Sequence, residues 1–191
     1  PGGTFNSEIR PIKDDEEAVK AGVDPLEDEA LKITRKTRDK LAKAPLPKTV
    51  WNKFAQFCDK YNFKKTSYYA PIAAGYNING YDMPIVERMC QQYGPVDSKR
   101  GTQGIFNPIY TIDVMQHIYC WFENNQDVKK YNMDYMREYF GMSQASKDNA
   151  HDALQDVKDT ANIMIKFMKL QRTLLHKVKF EKTFANGDIY V

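Results

Sequence analysis

The stretch Tyr68-Tyr69-Ala70-Pro71-Ile72-Ala73-Ala74-Gly75-Tyr76 constrains the fold of this chain more than any other. It is short, apolar and bounded by turn residues, so residues 68–76 read as a mostly buried strand. Asn77 to Asp82 forms the exit turn, and a helix runs from about Pro84, a favoured first-turn residue, to Tyr93. A second short strand, Ile109–Ile112, leads directly into a helix over Asp113–Asn124. Strands alternating with helices in this way predict an α/β architecture.

The flanking segments fill in the layout. Residues 4–12 alternate Phe5, Ser7 and Ile9 with polar neighbours and stop near Pro11, the pattern of an edge strand. That strand wants partners the chain does not supply. A short basic helix is expected over Thr34–Ala44, followed by Pro45 and Pro47. From Thr49 to Tyr61, Val50, Phe54, Phe57, Cys58 and Tyr61 fall on one helical stripe. Residues 94–108 read as a long surface loop. Helices are expected over Met133–Phe140, stopped by Gly141, and over Ala150–Leu175. The tail alternates apolar and polar residues about Asn186-Gly187, a hairpin signal.

Composition removes several classes. With 191 residues, 42% hydrophobic and 28% charged, the chain suits one globular domain. No apolar run approaches the roughly 18 residues that span a bilayer, so no membrane role is expected. Cys58, Cys90 and Cys120 fit neither a zinc-ligand spacing nor a disulfide framework, which points to a reducing, cytoplasmic setting. The opening PGGTF has neither the basic end nor the apolar stretch of a secretion signal. It also lacks an initiator Met, and the natural chain is expected to begin earlier.

The net charge of +3 is too small to mark a nucleic-acid binder by itself, but it is unevenly spread. Residues 1–30 carry nine acids against three bases. Lys32–Lys48 holds seven bases and only Asp39, and Lys166–Lys182 holds six and only Glu181. Either segment could follow a phosphate backbone or form a solvated helix face.

Two places combine ionisable groups with an informative setting. In Asn77-Ile78-Asn79-Gly80-Tyr81-Asp82 an acid appears between a buried strand and a helix, where α/β proteins build their sites. Asp82 could equally be a plain helix N-cap. In His151-Asp152-Ala153-Leu154-Gln155-Asp156, His151 and Asp156 lie five apart at the start of the last helix. On a continuous helix they would sit about 140° apart, so they converge only if His151 precedes the first turn. Ser146-Lys147-Asp148-Asn149, rich in turn and capping residues, permits that.

Taken together, Asn-x-x-x-Tyr-Asp after an apolar strand and His-x-x-x-x-Asp opening a helix 74 residues later resemble motifs II and III of the DEDDh 3′–5′ exonucleases, the DnaQ-like group. Thr111-Ile112-Asp113 resembles the strand-end Asp after motif II, and Asn132 through Met142 the short helix and glycine stop before motif III. The likeness runs from about Phe5 to Leu175. It implies a ribonuclease H-like mixed sheet flanked by helices, over residues 1–175, with 176–191 a hairpin-like extension.

The resemblance also implies roles. Asp82 and Asp156 would help hold two divalent ions, Mg²⁺ or Mn²⁺, with His151 as general base and Asn77 and Tyr81 near the terminal nucleotide. The expected activity is 3′–5′ hydrolysis of single-stranded nucleic acid, DNA favoured over RNA, with a polymerase as a further partner. One element departs from the pattern: the family's first motif, Asp-x-Glu on the first strand, is absent, as if one or two strands were missing. An omitted amino-terminal segment, a binding module that has lost catalysis, or a partner that supplies the acids would each account for this. An unrelated α/β function remains the alternative if the motif matches are chance.

Overall fold

A computed structural model describes residues 2–11, 15–20, 25–143 and 152–175. Three short helices open the chain: α1 (Asp15–Lys20), α2 (Asp28–Thr34) and α3 (Arg38–Ala42). The single basic helix expected over Thr34–Ala44 is thus broken. Arg35 takes a left-handed backbone (φ 56°) that ends α2, and Thr37 restarts the chain by accepting a bond from the Lys40 N–H at 3.3 Å. The basic surface is also neutralised from within. Lys36 and Lys40 pair with Glu8 at 2.7 and 2.8 Å, and Arg38 pairs with Asp15 and Asp28. These links tie three of the amino-terminal acids to Lys36, Arg38 and Lys40 of the basic segment.

Residues 4–11 form no strand. They run as irregular chain against α4 (Pro47–Asp59), with the Phe5 ring 5.6 and 5.8 Å from those of Phe54 and Phe57. The alternation was real, but a strand needs a neighbour, and aromatic packing on a helix took its place. Pro47 opens α4, and the helix buries Val50, Trp51 and Cys58.

The buried 68–76 segment is strand only over β1 (Ala73–Gly75); Ser67–Tyr69 is a 3₁₀ turn. Next come α5 (Asp82–Tyr93), a loop, β2 (Thr111–Asp113) and α6 (Val114–Phe122). The loop is held in place: the Gln103 side chain is buried, accepts from the Ile105 and Phe106 N–H groups and donates to the Phe106 carbonyl. β1 and β2 pair in parallel, with Ala73 opposite Thr111 and Gly75 opposite Asp113. The described sheet has two strands, and the other edge of β1 has no partner among the described residues. An α/β fold short of strands is what the sequence implied.

After α6 come α7 (Met133–Tyr139) and the long α8 (Ala153–Leu175). Gly141 follows α7 with φ 60°, the left-handed stop expected there. Two apolar clusters hold the molecule together. Val114, Ile118, Met136, Ile163 and Phe167 join α6, α7 and α8, while Trp51, Cys58, Val86, Cys90 and Ile105 join α4, α5 and the loop. Burying such side chains stabilises by roughly 1.5–3 kcal/mol each. Burial also pushes the Cys58 thiol up to about 12, so it behaves as a small core residue. Among the described residues no helix is long and apolar enough to cross a membrane. The expected 176–191 hairpin lies outside the described residues.

Candidate active site

The two parallel strands end abreast, and the chain leaves β1 through a tight turn. A side chain at Gly75 would meet Ile78 at 2.9 Å, so glycine is required for Ile78 to fold back. Asn77 then adopts φ 54°, a conformation asparagine tolerates. The buried Asp113 carboxylate clamps this turn from β2. It accepts from the backbone N–H of Asn77 at 3.0 Å and of Asn79 at 3.3 Å. It also caps α6 through the Met115 N–H at 3.1 Å. One acid therefore ties the exit of β1 to the start of α6.

The clamp sets the position of Asp82. Tyr81 holds the N-cap position and Asp82 is the first residue of α5, so the plain N-cap reading of Asp82 does not hold. Partial burial raises the Asp82 carboxyl above its ordinary value, and the nearby Asp113 charge adds to this; a bond to its own backbone N–H opposes them. Tyr81 is 71% exposed, so its ring is not part of the core.

The facing wall comes from α8. Asp152 accepts from the Leu154 and Gln155 N–H groups, both at 3.1 Å, and starts the helix. Asp156 lies one turn in. Its carboxylate pairs with Arg137 of α7. The same guanidinium donates through Nε to Asp159 and through Nη1 to Asp134, both at 2.8 Å. Arg137 and Asp159 side chains are 3% and 2% exposed, whereas that of Asp156 is 39% exposed. Burial alone would lower the Arg137 pKa; the Asp159 and Asp156 carboxylates outweigh it and hold the group more firmly protonated. The general-base candidate, His151, lies outside the described residues.

Between the two walls is a cavity of about 650 Å³, within the range of small-ligand pockets. Asp82 and Asp156 both line it, with Phe54, Val86, Phe106 and Met164 among its apolar neighbours. It sits where the two apolar clusters fail to meet, over the C-terminal end of β1. Two acids far apart in sequence therefore face one cavity. Asn77 and Tyr81 flank its entrance turn in the chain but do not line it.

The comparisons with known proteins agree with this layout. A family model described as Exonuclease, of the RNase T type, matches residues 6–164, and the chain belongs to that family. Its fold is accordingly the ribonuclease H-like α/β fold, and its class is that of the nucleases. No curated protein and no solved structure matches the chain.

Exonucleases of this family use divalent metals as a rule. The described residues do not by themselves fit such a centre. They include no group of three or more His, Cys, Asp or Glu side chains placed to hold an ion. Asp82 and Asp156 offer hard oxygen donors, but two carboxylates are too few for two doubly charged ions, and Asp156 already faces a cation of the protein's own.

The sequence marked Asp113 as a strand-end acid but not as the clamp, and it gave no sign of Arg137 and Asp159 as the neighbours of Asp156. Asp113 had a signal, an acid at a strand end before a helix. The Arg137 cluster had none, since its members meet only when α7 packs on α8.

Proposed function

We propose that this chain shortens nucleic-acid strands from their 3′ ends, releasing mononucleotides, with single-stranded DNA as the preferred substrate in proofreading or end trimming. The observation that carries this reading is the shared cavity of Asp82 and Asp156 at the C-terminal edge of the sheet. Asp82 and Asp156 are the carboxylates that would meet a divalent ion, Mg²⁺ or Mn²⁺, whose contribution when bound would be a more acidic water and a charge beside the leaving oxygen. A full two-ion site needs further acids, such as an Asp-x-Glu strand beside the unpaired edge of β1. His151 is assigned the proton of the attacking water, and Asn77 and Tyr81 the terminal nucleotide.

The test is digestion of a 5′-labelled single-stranded oligonucleotide, as DNA and as RNA, with Mg²⁺ or Mn²⁺. A ladder shrinking from the 3′ end is expected, faster for DNA, and lost in Asp82→Ala and Asp156→Ala. Full activity in either variant would overturn the assignment.

A second reading is a catalytically inactive exonuclease-fold module that binds nucleic acid or a polymerase. The pairing of Asp156 with Arg137 favours it. It expects salt-sensitive oligonucleotide binding without cleavage at any metal concentration.

A further inference from the structure

The end of the sheet away from the cavity carries a cluster of exposed rings. Tyr68 and Tyr69 come shortly before β1 and Tyr110 immediately before β2. Because the strands are parallel, all three lie at one end of the sheet, opposite the end that leads to Asp82. Their exposures are 52, 48 and 52%, and Ile72 and Ile109 are exposed beside them. The buried Asn107 joins the two runs. Its side chain donates to the Tyr68 carbonyl at 2.6 Å and accepts from the Ile109 and Tyr110 N–H groups, both at 2.9 Å. These bonds use the backbone of the tyrosines and leave their rings to solvent.

The charge around the rings has one sign. Residues 60–72 and 98–112 hold Lys60, Lys64, Lys65, Lys99 and Arg100 and no acid, and all five cations are exposed. The acids that border the two runs, Asp59 and Asp97, pair with Lys65 and Arg100, and the cations still outnumber them. Two of the cations are seated at the rings. Lys64 Nζ lies 4.0 Å from the centre of the Tyr69 ring, and Arg100 Nη1 donates to Ser67 Oγ, next to Tyr68, at 3.4 Å.

We propose that this surface is a second holding point for nucleic acid, a platform on which unpaired bases of a DNA strand stack while the lysines and Arg100 meet its phosphates. Exposed aromatic rings among cations suit an unpaired strand, whose bases offer flat faces and whose backbone is an anion. They suit an apolar protein partner poorly, because such a partner would have to desolvate the Lys64 ammonium on the Tyr69 ring. A paired duplex would offer phosphates but no free base faces. From the proposed function this inference takes only the class of ligand; it needs no cleavage.

The experiment is fluorescence anisotropy of an end-labelled oligothymidylate with the full chain, in EDTA so that hydrolysis is suppressed. Wild type is expected to bind, more weakly as salt rises, and more tightly than it binds a duplex of the same length. Tyr68→Ala and Tyr110→Ala should each weaken binding roughly tenfold, and Tyr110→Phe should restore it. Should the alanine variants fail to fold, the wild type answers by photo-crosslinking to 5-iodouracil in the same strand, with adducts expected at Tyr68, Tyr69 or Tyr110. No binding by wild type, equal binding of duplex, unchanged affinity in both folded alanine variants, or adducts confined to other residues would each overturn the proposal. So would a wild-type dimer in sedimentation that Tyr68→Ala dissociates, since the rings would then join two copies. Binding that follows this pattern without any digestion in Mg²⁺ or Mn²⁺ leaves the platform standing and removes the nuclease reading. Digestion with unchanged binding in the alanine variants does the reverse.

Discussion

The two walls of the cavity solve the same electrostatic problem in opposite ways. On the α8 wall, Asp156 is tied to a buried arginine that two further acids hold in place. On the β1–α5 wall, Asp82 has no cationic partner among the described residues, and the charge that acts on it is that of another acid, Asp113. The first wall is built for stability. The second carries a carboxyl whose charge the fold disfavours. A group retained at a cost to stability in a concave site is a sign of function.

The largest effect should come from the centre of the paired wall. Arg137→Gln takes the guanidinium from the buried Asp159 carboxylate, and removing one partner of a buried pair costs about 3–5 kcal/mol. Chemical denaturation should show a lower midpoint with an unchanged slope. A loss below about 1 kcal/mol would mean that α7 and α8 are joined by their apolar contacts alone.

Next is the acid that steadies the unpaired wall. Asp113→Ala removes the acceptor for backbone N–H groups of Asn77, Asn79 and Met115. Leaving such groups unsatisfied, together with loss of a helix cap, costs about 2–4 kcal/mol. The same change frees the turn that carries Asp82. Amide hydrogen exchange should therefore speed up over residues 77–82 more than in α8. Uniform exchange throughout would break the contrast between the walls.

The contrast was only half visible in the sequence. The β1 turn could be read because each step is local: an apolar run, Gly75, Asn77 and an acid ahead of a helix. Helices α4, α5 and α7 could be read for the same reason, from stripes and stop signals. The strand expected at Phe5–Ile9 was misplaced because alternation describes a face, not a partner, and the face found Phe54 and Phe57 instead. The Arg137 cluster was illegible because a guanidinium 19 residues from Asp156 and 22 from Asp159 gives no period or motif. The pairing of the basic stretch was hidden for a related reason: the partners of Lys36, Arg38 and Lys40, namely Glu8, Asp15 and Asp28, come from the chain upstream.

The smallest effect separates the walls by sign. The ordinary carboxyl value for Asp82 is 3.8, and the fold raises it. Below that value the folded and unfolded chains both hold the proton, and Asp82 contributes nothing. As pH rises through 3.8 the unfolded chain gives up its proton first, so stability falls until the folded group has ionised too. Asp82→Asn removes that loss. It should be more stable than wild type above the raised value, by about 0.5 kcal/mol or less once solvent screening is allowed for, and no different near pH 3. Asp156→Asn should go the other way, losing about 1 kcal/mol at neutral pH because Arg137 gives up a charged partner. Thermal melts of the two variants across pH 3 to 8 would read both signs, and destabilisation by Asp82→Asn at neutral pH would show that Asp82 belongs to the framework after all.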